Sequence, residues 1–326
     1  MRLSSRIPRG IVAPSIVLGA TALAGALAFA WGSLVERKMF TLRRETVPVL
    51  PPGSEPIRVL HVSDLHMAPW QRDKQAWVRS LAQLRPDLVV DTGDNLGHED
   101  GIAGIESAFQ GYDSIPGVFV NGSNDYHGPM RKNWLRYLVR HSGGVKDTPA
   151  DLDTASLERF FREGLGWVGL NNDVGSITIK GTRLDFFGVD DPHIGRDRLD
   201  RLTGLIDSRQ DEESLDDDTA GSEPTVTIGV AHAPYRRVLA SFVTHGADLI
   251  LAGHTHGGQV CVPFFGALVT NCDIPRRQVK GLSTWRHAYR SAFLHVSAGL
   301  GTSIYAPVRF ACLPEATLLT LVPAER

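Results

Sequence analysis

Cysteine is scarce in this chain: there are three in 326 residues, Cys261, Cys272 and Cys312. Their spacing contains no CxxC, which excludes metal and redox motifs of that type, and their odd number excludes a closed disulfide framework. They read as small buried hydrophobes, with a Cys261 to Cys272 bridge left open if the domain faces an oxidising compartment. An excess of one charge is also missing, with 34 Lys and Arg against 36 Asp and Glu. A formal net charge of -2 supplies no cationic surplus to displace counterions, so no nucleic-acid partner is expected. No internal repeat of solenoid period is present.

The N-terminus lacks charge altogether from Gly10 to Val35. As a helix, that run is long enough to cross a bilayer core of about 30 Å. Arg2, Arg6 and Arg9 precede it, and Arg37, Lys38, Arg43 and Arg44 follow. The flanks nearly balance, so the positive-inside rule does not orient it. Its length favours a retained single-pass membrane anchor over residues 1–36, while Ala28-Phe29-Ala30 keeps a cleaved signal peptide open. Without an Arg-Arg pair ahead of it, no twin-arginine signal is evident. A core helix would carry a polar face, and this run has none. Residues 37–54, charged and then rich in proline, suit an extended tether. A soluble domain is therefore expected over 55–326.

Within that domain the pattern alternates. Residues 57–63 read as a buried strand, and 73–84 as a helix with Trp77, Leu81 and Leu84 on one face. Further strands are expected at 87–92 and 117–121, with helices near 102–109 and 131–140. A hairpin at 176–180 and 183–189 turns at Gly181-Thr182, and strands follow at 225–231, 248–252, 259–262, 292–297 and 317–322. This alternation predicts an α/β fold: a four-layer αββα sandwich of two mixed β-sheets flanked by helices. The stretch 209–224, with Asp216-Asp217-Asp218, has little to bury and is expected as a flexible acidic insertion.

Five polar clusters follow five of the apolar strands, where open α/β sheets place their sites. They are Asp64-Leu65-His66, Gly93-Asp94-Asn95, Ser123-Asn124-Asp125, His232 in Ala231-His232-Ala233, and Gly253-His254-Thr255-His256. Any one of them alone would more often be structural. Together they supply Asp64, His66, Asp94, Asn124, His232, His254 and His256, a set of hard oxygens and imidazoles suited to Mn, Fe, Zn or Ni. Buried carboxylates without cations would be costly.

In order and content these five clusters resemble the signature of the calcineurin-like metallophosphoesterase superfamily. The apolar helix close before Asp64, and the run from Gly253 to Gln259, look most similar to a membrane-anchored bacterial phosphodiesterase subgroup related to UDP-2,3-diacylglucosamine pyrophosphatases. The resemblance implies two divalent or trivalent metal ions. One would be held by Asp64, His66, Asp94 and His256, and the second by Asp94, Asn124, His232 and His254, with Asp94 as the bridge. It also implies hydrolysis of a phosphodiester or pyrophosphate bond in a phosphorylated small-molecule or lipid-linked substrate. A phosphoprotein phosphatase and a metal-binding scaffold without activity are the rival readings.

The chain departs from the family pattern at one position. Asp125 stands where the common motif has a His that would face the phosphate. A carboxylate repels phosphate, so Asp125 is expected to orient a ligand or water instead. His127 is the candidate proton donor to a leaving alkoxide, against the plain alternative of a surface histidine. If neither acts as an acid, substrates with good leaving groups are favoured. His193, in Asp190-Asp191-Pro192-His193, is the candidate substrate contact. His61 is expected in the core and His295 in a packing or surface role. Trp70 and Trp134 read either as an apolar substrate mouth or as core.

Overall fold

The computed structural model describes residues 12–129, 151–215 and 224–324. It begins with α1 (Val12–Leu34), an apolar helix about 34 Å long at 1.5 Å per residue. From Val17 onward its large apolar side chains are exposed, Leu18 at 73%. The last turn docks on the domain: Arg309 N donates to Gly32 O at 3.2 Å, and Cys312 N to the buried Glu36 Oε1 at 2.8 Å.

Residues expected as a tether form a sheet strand instead, β1 (Thr41–Leu50). It pairs in parallel with β14 (Glu315–Pro323), and a register shift between Pro48 and Leu50 turns both Val47 and Leu50 into the core. The proline signal belongs to the turn that follows and to an edge strand, where Pro48 removes no obligatory ladder bond.

The first sheet continues with β2 (Ile57–Val62), β3 (Leu88–Asp91), β4 (Gly117–Phe119) and β5 (Val168–Gly169), in the order β1-β14-β2-β3-β4-β5. β2 to β5 run parallel, and β14 is antiparallel to β2. The second sheet has the order β12-β13-β9-β8-β7-β6. It is built from β6 (Asp173–Ile179), β7 (Thr182–Gly188), β8 (Thr225–Ala231), β9 (Leu249–Ala252), β12 (Gly281–His287) and β13 (Arg290–Val296). A two-stranded ribbon joins β10 (Cys261–Val262) to β11 (Gly266–Ala267).

Alternation along each strand divides its side chains between layers. Ile57 and Val59 face the second sheet, meeting Leu184, Ile228 and Leu249, while Leu60 and Val62 face outward. There they pack with α2 (Arg72–Ser80), α3 (Ile102–Ala108) and α5 (Thr154–Arg159) through Val78, Ile105 and Leu157. A single-turn helix, α4 (Ser123–Tyr126), precedes α5. On the far side, α6 (Leu199–Leu215) and α7 (Arg236–Thr244) cover Phe187, Ile250 and Leu294 with Leu202, Val238 and Phe242. The result is the αββα sandwich expected from the alternation.

α6 takes in the start of the expected acidic insertion, because Leu202 and Ile206 fix its apolar side against the second sheet. Residues 216–223 lie outside the described residues, as do the helix expected at 131–140 and Trp134. The three cysteines are free and buried. Cys261 packs in one small cluster with Cys312, and Cys272 packs in another beside Ile274, so the pairing left open for Cys261 and Cys272 is not made.

Candidate metal centre

The site is assembled where strands of both sheets end. Asp64 and His66 follow β2, Asp94 follows β3, Asn124 lies in α4 after β4, His232 follows β8, and His254 and His256 follow β9. Backbone bonds knit the first two loops together: Asp64 N donates to Gly93 O at 2.8 Å and His66 N to Asp94 O at 2.9 Å. Asp64, His66, Asp94, His254 and His256 all adopt positive φ, between 40° and 68°. That conformation costs a side-chain-bearing residue of order 1–3 kcal/mol, and it concentrates here because the side chains must converge. Gly122 is required by close approach, since a Cβ there would lie 2.7 Å from Asp94 N and 2.8 Å from the His232 ring.

Donor atoms of Asp64, His66, Asp94 and His256 lie within 4.8 Å of one another, all buried. His66 Nε2 and His256 Nε2 are 3.2 Å apart, and His256 Nε2 is 3.5 Å from Asp64 Oδ1. A second group adjoins it, with His254 Nδ1 and His232 Nε2 also 3.2 Å apart. Asp94 lies between the two: its Oδ2 is 3.5 Å from His66 Nε2 and its Oδ1 3.5 Å from His232 Nε2. Asn124 closes the second group, donating Nδ2 to Asp94 Oδ2 and its backbone N to Oδ1, both at 2.7 Å. Its Oδ1 remains as a donor for a cation.

The spacing fits metal binding. Two imidazole nitrogens on one tetrahedral ion, each about 2.0–2.1 Å from it, stand about 3.3 Å apart. An outer contact fixes the His232 tautomer, because a carbonyl can only accept. His232 Nδ1 donates to Thr92 O at 2.7 Å, whereas His254 Nε2 lies 3.2 Å from Asn271 O and 3.3 Å from Asn271 Nδ2, and His256 Nδ1 lies 3.2 Å from Gly301 O and 3.3 Å from an Arg309 terminal nitrogen. In each case the other nitrogen faces the site.

The electrostatics describe a pocket built for positive charge. Burial pushes the Asp64 carboxyl up to about 6, partly opposed by His232. Burial holds His66 down at about 4, against the pull of Asp94. Burial also lowers His254 and His256 well below the ordinary imidazole value, keeping them neutral as ligands must be.

The remaining expected residues fall in different places. Asp125 is fully buried and does not face the donor cluster. Its Oδ2 accepts the N–H groups of Gly122 and Asp94, both at 2.9 Å, and its Oδ1 those of Asn95 at 2.7 Å and Leu96 at 3.1 Å. His127 is half-buried, with Nδ1 3.2 Å from Asp151 Oδ1. His193 sits at the rim: its ring centroid is 4.4 Å from that of His254, and its Nδ1 is 3.0 Å from Tyr235 Oη. His61 is buried, as is His295, and their Nδ1 atoms are 2.8 Å apart. His61 Nε2 continues to Thr92 Oγ1 at 3.0 Å, behind the carbonyl that holds His232.

Sequence reasoning missed Arg309, the largest fully buried side chain. One of its terminal nitrogens donates to Ala298 O, Gly299 O and Gly301 O at 2.7, 2.9 and 2.8 Å, clamping the loop against which His256 leans. No motif marks it; a lone arginine after a Pro-Val pair carries no signal of burial.

A fold of this topology, with buried Asp and His side chains and the half-buried Asn124 converging at its strand ends, defines a metal-dependent phosphoester hydrolase. The chain belongs to the calcineurin-like phosphoesterase family, whose sequence profile matches residues 57–258. It is similar to the metallophosphoesterase YkuE of Bacillus subtilis, at 22% identity over 93% of each chain. A bovine transmembrane protein with a metallophosphoesterase domain is 26% identical over 85% of this chain and 56% of its own length. Among solved structures, the NAD nucleotidase of Haemophilus influenzae aligns with a TM-score of 0.44 at 13% identity, covering 76% of this chain and 46% of that one.

Proposed function

We propose that the chain is a membrane-anchored hydrolase with a dinuclear metal centre, cleaving a phosphodiester or pyrophosphate bond in a lipid-linked substrate. A nucleotide-sugar lipid of the UDP-2,3-diacylglucosamine kind is one such substrate. The observation that carries the reading is the Asp94 carboxylate, set 3.5 Å from His66 by one oxygen and 3.5 Å from His232 by the other. One ion would take Asp64, His66, Asp94 and His256; the second would take Asp94, Asn124, His232 and His254. Bound ions would supply a water of lowered pKa and positive charge against the phosphoryl oxygens.

The chain's own residues do the rest. Asp125 positions the Asp94 loop through its four N–H contacts and makes no approach to a phosphate. His193, beside His254, is placed to contact the substrate at the rim. With His127 turned to Asp151, the leaving group departs without a protonating side chain, which favours anhydrides and activated esters. The exposed apolar length of α1 and the similarity to a bovine transmembrane protein support the anchor.

The test is hydrolysis of bis-(p-nitrophenyl) phosphate by the full chain in detergent, with Mn added or chelated. Turnover should require the metal and fall at least about 100-fold in Asp94→Asn, the scale on which removing a transition-state contact acts. Chelator-insensitive turnover, or an Asp94→Asn enzyme as fast as wild type, rules the proposal out.

A further inference from the structure

A cavity of about 210 Å³ lies between the end of α1 and the loop at Leu300 and Gly301. That is the share of about seven liquid waters, enough for a phosphate group and its attachment. Arg37, Lys38 and Phe40 line it from the α1 side, Trp70, Arg72 and Lys74 from the start of α2, and Leu300 and Gly301 from the loop behind the metal ligands. Gly301 N donates to Asp64 O and Leu300 N to Ser63 O at 3.1 Å, so one wall of the cavity is bonded to the backbone that carries the ligands. Lys74 Nζ donates to Leu65 O at 2.6 Å, between Asp64 and His66.

The charges around this cavity are unbalanced. Among the described residues, Arg37, Lys38, Arg72 and Lys74 make no ion pair, and Asp73 is the single carboxylate in the lining. Arg37 Nε is buried without a hydrogen-bond partner. Burial, and then the charges of Arg309 and Arg37, push the Lys74 ammonium down to about 7. The first turn of α2, which has no side-chain cap, adds the positive end of its dipole. Trp70, 61% exposed, stands with the basic pair after α1, where interfacial aromatics meet lipid headgroups.

We propose that this cavity binds the phosphate-bearing headgroup of an anionic membrane lipid and presents it to the metal centre. Resting on the phosphoesterase reading above, it narrows the substrate to a lipid-borne phosphate ester or anhydride drawn laterally from the bilayer.

The test is native mass spectrometry of the full chain released from micelles containing dioleoyl phosphatidic acid or dioleoyl phosphatidylcholine. Wild type should retain one phosphatidic acid and no phosphatidylcholine. Each surface Lys or Arg contributes about 5-fold to attraction of an anionic headgroup. Reversing the exposed pair Lys38→Glu and Arg72→Glu should therefore weaken retention by at least about 25-fold. Arg286→Glu with Arg290→Glu, the same charge change on the β12–β13 hairpin, should leave retention at the wild-type level, and gel filtration checks that each variant is folded. Equal retention of both lipids, equal loss in both double variants, or occupancy by inorganic phosphate with no lipid retained would overturn the proposal. Retained phosphatidic acid without metal-dependent turnover would instead defeat the phosphoesterase reading alone.

Discussion

Asp125→Ala separates a positioning carboxylate from a catalytic one. The side chain accepts four backbone N–H groups, from Gly122, Asp94, Asn95 and Leu96. Burial, reinforced by the Asp94 charge, pushes its carboxyl up to about 8, opposed by the N–H groups of Gly122 and Leu96. All four partners are donors, so a proton on Asp125 would find no acceptor among them; the geometry argues for the carboxylate. Alanine strands the four N–H groups in a dry interior. At the low end of about 1 kcal/mol for each unsatisfied donor, the loss is about 4 kcal/mol. That corresponds to a fall in Tm on the order of 10 °C. Asp125→Asn retains one acceptor oxygen but sets an NH₂ against two N–H groups, and should lose about half as much. Differential scanning calorimetry and metal content by elemental mass spectrometry provide the assay. Both variants should lose stability and metal in the same order as they lose turnover. An Asp125→Asn protein with wild-type Tm and wild-type metal content but no turnover would refute the argument and make Asp125 a group that touches substrate.

Three further outcomes follow from the same contacts. Arg309→Met deprives the carbonyls of Ala298, Gly299 and Gly301 of their donor, and should cost about 3 kcal/mol net of the charge no longer buried, visible as a lower Tm and weaker metal retention. His61 and His295 are held neutral by burial, His61 well below the ordinary value and His295 at about 3. Because their folded pKa values are depressed, their stabilising contribution is complete above pH 6.5 and is lost as pH falls from there toward 3. Each costs about 1.4 kcal/mol per pH unit in that window. Melting curves between pH 7 and 5 should steepen accordingly, and His295→Asn should remove about half of the slope that this pair contributes; an unchanged slope would contradict the assignment. His193→Ala should raise KM several-fold with little change in kcat, since the ring sits beside His254 at the rim; a fall in kcat alone would place it in the chemistry instead.

Much of this protein is written locally. Strand residues such as Ile57 to Val62 and Leu249 to Ala252 declare themselves because both faces of a central strand are buried, and the polar residues that end them stand out against that apolar run. The α/β class and the seven candidate ligand positions were legible for that reason. β1 was not, because a charged edge strand with a proline looks like a tether until β14, about 270 residues away in sequence, supplies its ladder. Arg309 and the His61–His295 pair were equally silent, since their roles arise from carbonyls and rings brought together by distant segments. Asp125 shows the division most clearly. Charge repulsion alone argued that it should not face a phosphate, but only the folded loops show the four N–H groups it holds. Likewise the basic residues after α1 read as membrane flanks, and tertiary contact alone sets them with Lys74 and Arg72 around one cavity beside the ligands. Periodicity and composition fix what a segment buries, whereas the partner it meets depends on a chain path that no local pattern encodes.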